Sequence, residues 1–300
     1  MRIVLGVDGS EGARWATEVL LALPVSPPVE VTILSAVEVP ETPFTSLTPM
    51  ARRAYGQAMA TMRREAEEVA LKAVETAAEA LEGRVTTLST RLKQGNAATA
   101  LLGAAESLRA DLIAVGSRGL GPVKEFLLGS VSQQVVRCAP CSVLIARGPL
   151  ARLQRVLVGV DGSVHARAAA QFVANLLLAR DASIHLCSVA EQPIFGPAKV
   201  GRSPQELQVA LETITEIGRA AAEQVLAETR TLLAGEGYAV SSSLRSGHPV
   251  DHLLAAIREF RPELAVIGAK GRTSAKDSAL GSVAHMTLKY ASCSVLVVRP

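Results

Sequence analysis

Residues 111–132 read DLIAVGSRGLGPVKEFLLGSVS, and residues 263–284 read ELAVIGAKGRTSAKDSALGSVA. Each stretch begins with a short apolar run, Leu112–Val115 or Leu264–Ile267. A glycine pair three apart follows, Gly116 and Gly119 or Gly268 and Gly271, and ten residues later comes Gly129-Ser130 or Gly281-Ser282. The matching glycines all lie 152 positions apart, which makes the frame a repeat. The pattern predicts a strand, a glycine-rich turn, a loop and a helix start. Glycine lets backbone N–H groups turn inward and lets a ligand approach the main chain. A helix start adds unpaired N–H groups and the positive end of its dipole. Two such donor sets facing one another would cradle phosphate oxygens. Taken once, the pattern fits a tight turn and a Ser-capped helix equally well. Its full repetition favours a ligand.

The rest of the chain repeats with it. Residues 2–7, RIVLGV, form an apolar run stopped by Asp8-Gly9-Ser10, and residues 155–160 are stopped in the same way by Asp161-Gly162-Ser163. Trp15, Val19 and Leu23 have helical spacing in the segment from Glu11 to Leu23. Buried strands are expected at Val31–Val37 and Ile184–Val189, and third strands at Val85–Leu92 and Tyr238–Leu244. Long amphipathic helices are expected at Met50–Leu81 and Gln205–Leu233, each after a loop. Gly95-Asn96 and Gly247-His248-Pro249 each open a further helix, the first over Ala97–Leu108; Ser142–Ala146 and Ser294–Val298 are the closing strands. Alternating strands and helices define an α/β chain with parallel sheets. A period near 150 residues is domain duplication, with domains at 1–147 and 155–300 and a linker at 148–154.

Composition narrows the function classes. The chain has 300 residues, enough for two domains, and is 49% hydrophobic, so each half can bury a core. A net charge of +3 with 3% aromatic residues argues against a nucleic-acid binder, which would carry a basic stripe or stacking rings. Four cysteines make no disulfide framework. No apolar run approaches the roughly 18–20 residues of a membrane span, and the opening strand carries no signal-peptide pattern. The expectation is a cytoplasmic protein without membrane or nucleic-acid partners.

Gly-x-x-Gly-x9-Gly-Ser resembles the ATP-binding signature of the universal stress protein family, and both copies match it. The likeness covers nearly all of the chain, which therefore resembles a tandem universal stress protein. It implies two Rossmann-like domains of the HUP, or adenine nucleotide alpha hydrolase-like, kind, each a five-stranded parallel sheet flanked by helices. It implies ATP as ligand, with Mg2+ or Mn2+ as a candidate companion. The first site would comprise Gly6, Asp8, Val37, Val115, Gly116, Gly119, Gly129, Ser130, Val131 and Ser132. The second would comprise Gly159, Asp161, Val189, Ile267, Gly268, Gly271, Gly281, Ser282 and Val283. Val37 and Val189 would offer main-chain groups to adenine, with Val115 and Ile267 beside it; Ser130 to Ser132 would meet the phosphates. Ala284 replaces the hydroxyl of Ser132, so the second site is expected to hold phosphate more weakly. The resemblance further implies pairing of the two halves as an intrachain pseudo-dimer, leaving assembly into a homodimer open.

Several residues keep two readings. Asp8 and Asp161 either meet ribose or a hydrated cation, or only turn the chain and cap a helix. Arg118, Lys124, Lys270, Arg272 and Lys276 either neutralise a triphosphate or are solvated loop cations. Glu125 and Asp277 occupy the same loops, and neither has a position that demands general-base work. No Walker-type Gly-Lys-Ser/Thr frame occurs. Cys138-Ala-Pro-Cys141 has redox or metal spacing, but the second copy keeps only Cys293, which favours packing. His248 and His252 have helical ligand spacing, yet His248 before Pro249 also marks a helix start. The expected function is nucleotide-dependent sensing or regulation under stress, read by an unidentified protein partner, without catalytic residues. The alternatives are a slow ATPase or a phosphoryl or nucleotidyl transferase, and an adaptor that binds no nucleotide.

Overall fold

The computed structural model describes residues 1–38, 48–119, 128–191, 204–234, 238–272 and 279–300. Two units emerge, Met1–Ala151 and Arg152–Pro300. The first contains β1 (Arg2–Gly6), α1 (Glu11–Ala22), β2 (Glu30–Val37), α2 (Pro49–Leu81), β3 (Thr87–Gln94), α3 (Ala97–Leu108), β4 (Leu112–Gly116), α4 (Ser130–Cys138) and β5 (Ser142–Ala146). Its sheet runs β3-β2-β1-β4-β5 with parallel pairing throughout. The second contains β6 (Arg155–Gly159), α5 (Val164–Ala174), β7 (Ser183–Ala190), α6 (Pro204–Ala234), β8 (Ala239–Ser246), α7 (Pro249–Phe260), β9 (Leu264–Gly268), α8 (Ser282–Tyr290) and β10 (Ser294–Val298). Its sheet runs β8-β7-β6-β9-β10, also parallel. Each unit is thus the expected five-stranded α/β sheet.

The inner strands explain themselves. In β4, LIAVG, all residues are buried, as parallel strands covered on both faces must be. An acid fixes the register of the central pair at its N-terminal end. Asp111 accepts the Arg2 N–H at 2.6 Å and donates its own N–H to the Arg2 carbonyl at 2.8 Å. Glu263 repeats this at Arg155 and adds the guanidinium, at 2.9 and 3.0 Å. The register follows: Ile3 sits beside Leu112, and Val156 beside Leu264. The two third strands begin and end later than the apolar pattern suggests, at Thr87–Gln94 and Ala239–Ser246. Both are edge strands, largely exposed, so polar Lys93, Gln94, Arg245 and Ser246 extend the ladder where an apolar reading stops.

Helix α1 lies directly on the end of β4. A Cβ on Gly116 would overlap the backbone of Gly12, and one on Gly12 would overlap the Arg118 carbonyl. The approach is backbone on backbone, so neither position has room for a side chain. Gly116→Ala should destabilise the first unit by about 1–3 kcal/mol through overpacking. Gly103, on the exposed face of α3 with nothing near its Cβ direction, is the control. There Gly→Ala should stabilise by about 0.5–1 kcal/mol. Urea unfolding of both variants measures this; equal effects would contradict the packing account.

In the second unit, His185 on β7 engages the hydroxyls of Ser241 and Ser243 on β8 through its two ring nitrogens, each at 2.9 Å. Its ring stacks on Phe260 of α7. Thr32 and Ser89 make the corresponding link in the first unit at 2.9 Å. Burial lowers the His185 pKa below its ordinary 6.5; Arg245 adds to the shift and Glu259 opposes it. On unfolding His185 regains that ordinary value, so the unfolded chain takes up the proton first as pH falls. Stability is present above about pH 7 and declines through the His range below it. His185→Thr should make that decline shallower. Urea midpoints measured from about pH 7.5 to 5 check it, and an unchanged slope would contradict the assignment.

Candidate nucleotide site

In each sheet the strand order reverses between the first and fourth strands, β1 and β4 or β6 and β9. Ligands of open α/β sheets bind in the crevice at the carboxyl ends of such a pair. Asp8 follows β1 there. Its Oδ1 accepts from the Ser10 N–H at 3.0 Å and from the Ser10 hydroxyl, while Gly9 adopts φ +79°. Ser10 then caps α1, accepting from the Ala13 N–H at 3.2 Å. The turn-and-cap reading of Asp-Gly-Ser is therefore correct. It is not the whole role, because the other carboxylate oxygen faces the signature loop: a Cβ on Gly119 would strike Asp8 Oδ2. In the second unit Asp161 Oδ1 accepts from the Ser163 N–H at 2.9 Å, and Oδ2 accepts from the Arg272 N–H at 3.2 Å. A Cβ on Gly271 would lie 2.9 Å from Asp161 Oδ2. The Ser163 hydroxyl donates to the Lys270 carbonyl at 3.2 Å, while the Ser10 hydroxyl, its proton on Asp8, lies 3.4 Å from the Arg118 carbonyl. Each turn thus lies against the start of its own loop.

Across the crevice stand the starts of α4 and α8. Ser10, Asn96 and Ser163 cap α1, α3 and α5 with side-chain oxygens, whereas Gly129 and Gly281 provide no side-chain cap. Each holds its own N–H on the loop instead, Gly129 on Ser117 and Gly281 on Ala269, both at 2.8 Å. The first intrahelical bonds come from Gln133 and His285. The N–H groups of residues 130–132 and 282–284 precede those bonds and have no intrahelical carbonyl. These residues line a cavity of about 250 Å³ in each unit. Every residue assigned from the sequence lines its cavity, with one exception.

That exception is Val37. The first crevice is lined by Leu34 and Ala36, and Val37 instead borders a shallow depression with Arg64, Glu67 and Leu71 of α2. The second crevice is lined by Cys187 and Val189. Gly95 bonds the Val37 carbonyl and Gly247 bonds that of Ala190, both at 3.0 Å, so Val37 matches Ala190 and Ala36 matches Val189. Successive strand residues face opposite sides of a sheet, and the one-residue slip sends Val37 to the α2 face. Ala36 takes its place in the site.

Ser132 is also corrected. It lines the crevice, but it is 3% exposed and its hydroxyl donates to the Gly116 carbonyl at 2.7 Å. The hydroxyl ties α4 to the end of β4, and its proton is already committed. Ala284 therefore costs the second unit a strand–helix tie and leaves the phosphate donors in place, which removes the ground for expecting weaker binding there.

Sequence reasoning missed most of the apolar wall. Leu101 of α3 and Leu253 of α7 line the two crevices from the start of the following helix, with Ala97 and Pro249 beside them. Nothing in their local pattern separates them from ordinary core residues. Arg118 lines the first crevice, and Lys270 and Arg272 line the second. Lys124, Glu125, Lys276 and Asp277 lie outside the described residues. Cys138 is exposed, while Cys141 and Cys293 are buried thiols, as packing at the start of β5 and β10 requires. His248 stands at the start of α7, with Nδ1 3.4 Å from Asp251. Among the described residues no group of three or more His, Cys, Asp or Glu is arranged to hold a metal ion. No helix among them is long and apolar enough to cross a membrane.

A parallel sheet with a crevice at the β1–β4 switch point, bounded by a glycine turn and an uncapped helix start, defines a Rossmann-like architecture. The model of the universal stress protein family matches the chain twice, over residues 1–147 and 152–299. A universal stress protein of Mycolicibacterium smegmatis is 30% identical over 263 residues, 82% of this chain and 82% of that one. One from Thermus aquaticus is 37% identical over 149 residues, covering 48% of this chain and 97% of the shorter relative. The crystal structure of a universal stress protein from Archaeoglobus fulgidus covers 99% of this chain and 96% of its own, with a TM-score of 0.61 at 22% identity, and bears on the fold alone. The chain belongs to the universal stress protein family and carries two of its domains in tandem.

Ser132→Ala tests the revised role. It should cost the first unit about 0.5–1.5 kcal/mol, the net worth of one hydrogen bond. Anion binding at the start of α4 should be little changed. Urea unfolding measures the first effect and titration with ATP the second. A loss of affinity beyond about tenfold, without loss of stability, would mean that the hydroxyl serves a charged ligand.

Proposed function

We propose that the protein binds an adenine nucleotide, ATP in the first instance, in each of its two crevices, and acts as a nucleotide-dependent regulator in the stress response. The observation that carries this reading is a cavity in each unit, at the reversal of strand order, with a glycine turn and a helix start on its two sides. On one side is a glycine turn that the ligand can approach; on the other is a helix start with no capping side chain. Residues 130–132 and 282–284 would receive phosphate oxygens on their N–H groups, with the helix dipole adding to the attraction. Leu34, Leu101 and Val115 in the first crevice, and Val189, Leu253 and Ile267 in the second, would pack against the base. A divalent ion would reach the site on the triphosphate, which needs only one or two protein carboxylates. Asp8 Oδ2 and Asp161 Oδ2 face the signature loops and fit that need.

Binding, and not turnover, is the proposed activity. Asp8 and Asp161 each hold their Asp-Gly-Ser turn, and Asp161 also holds the Arg272 peptide of its loop, structural duties that suit a receptor. Nucleotide occupancy would change the signature loops, and a protein partner would read the difference. The cytoplasm is the proposed location.

Calorimetric titration with ATP and magnesium, with phosphate release assayed on the same samples, tests the proposal. Gly129 has φ −62°, and a Cβ there meets nothing closer than 3.5 Å, so the backbone of Gly129→Val is unstrained and its Cβ has room; circular dichroism checks that the variant is folded. Gly281, with φ −72°, is the matching position. Each valine should remove about one binding event of two, with no sustained phosphate release. Sustained, magnesium-dependent release would replace the regulator with an enzyme; absence of binding by the wild type would leave the adaptor.

A further inference from the structure

The two crevices share a backbone frame and differ in the cations that line it. After β4 the first loop reads Ser117-Arg118-Gly119-Leu120, and after β9 the second reads Ala269-Lys270-Gly271-Arg272. Lys270 takes the place of Arg118. Arg272 falls where the first repeat has Leu120, which lies outside the described residues, so the second frame carries one more positive charge. Arg272 is exposed and lines the same cavity as Gly281, Ser282 and Val283 at the start of α8. Its peptide N–H is fixed on Asp161 Oδ2 at 3.2 Å, which anchors the residue at the crevice. Lys270 is anchored beside it, its carbonyl accepting the Ser163 hydroxyl at 3.2 Å. Two cations are thus presented from a loop pinned at successive peptides, next to the helix start that would receive phosphate.

We infer that the crevices differ in the nucleotide charge they select. The second prefers nucleoside triphosphates over monophosphates more strongly than the first, and Arg272 sets that preference. The inference rests on the nucleotide reading above and goes beyond it by assigning different specificities to the two sites. A helix start rewards the first phosphate group it meets, and that term is common to both crevices. Further phosphates project from the donors, so their added charge must be met by side chains. Among the described residues the first crevice offers Arg118 for this; the second offers Lys270 and Arg272, and also carries the Glu191 carboxylate on its lining. An arginine at an exposed rim makes a charge-assisted contact that salt screens, so its contribution is modest and salt-dependent. The loss of the Ser132 hydroxyl in the second repeat does not offset it, because in the first that hydroxyl is committed to the Gly116 carbonyl.

The test uses the full chain with one crevice blocked at a time. Gly129→Val leaves the second crevice, Gly281→Val the first, and each is titrated with AMP, ADP and ATP at low and high salt. The ratio of ATP to AMP affinity should be about three- to tenfold larger in the second crevice, a difference that high salt narrows. Arg272→Leu should bring the second crevice to the ratio of the first, and Arg272→Lys should retain most of the preference. Circular dichroism and urea midpoints establish that the variants are folded; if Arg272→Leu is not, Arg272→Gln replaces it. Equal ratios in the two crevices, or a ratio unmoved by removing Arg272, would overturn this inference while leaving nucleotide binding intact. Failure of the wild type to bind any of the three nucleotides would overturn both.

Discussion

Everything at the site depends on the adjacency of two parallel strands whose continuations must share the space above them. Because β1 and β4 are neighbours, the Asp8 turn and the signature loop emerge at one edge, as do the Asp161 turn and its loop above β6 and β9. Backbone converges so closely there that the residue ending the fourth strand of each unit, Gly116 or Gly268, has no room for a side chain. Gly116 meets Gly12, and Gly119 meets Asp8. Packed this closely, Ser163 and Asp161 bond the start of the second loop, and Ser10 and Asp8 lie against the start of the first. The crevice is what remains between each loop and its helix start. Its polar donors are mainly backbone, which preorganises them at no cost in side-chain entropy.

The two units reach this geometry with different side chains. Where the first has Gly12 against Gly116, the second places the backbone of His165 against Gly268. Burial lowers the His165 pKa; the Val298 carbonyl opposes that shift, Lys270 and Arg299 add to it, and Asp161 acts against them. Where the first crevice has Leu34, the second has Cys187, a thiol that burial raises above its ordinary pKa although the Ser243 hydroxyl works against the shift. A fixed backbone frame with divergent walls is what two copies of one domain would show after taking on different ligands or different affinities.

Much of the fold was legible because buried parallel strands are nearly continuous apolar runs and glycine marks turns that no other residue tolerates. Most strands and the duplication follow from such signals, whereas the five-stranded order and the placing of Asp8 beside the signature loop follow from the family resemblance. The failures are equally physical. The edge strands β3 and β8 carry polar residues on their open sides, so their ends were misplaced by two residues at most. Val37 was taken into the site because the end of a strand fixes no face until its register is known, and pairing with Gln94 and Gly95 settles that register. Ser132 shows the limit of reading a hydroxyl by its proximity to a signature, since its partner is a carbonyl 16 residues away. The wall from Leu101 and Leu253 is a tertiary product that leaves no local trace.

The central claim is that uncapped helix starts receive the first phosphate group of a bound nucleotide. Backbone amide resonances report this directly. In a deuterated, 15N-labelled sample titrated with ATP, the amides of Ser130, Val131 and Ser132 and of Ser282, Val283 and Ala284 should show the largest shifts, accompanied by Gly119 and Gly271. Shifts confined to other surfaces, or none at saturating nucleotide, would contradict the account at its foundation.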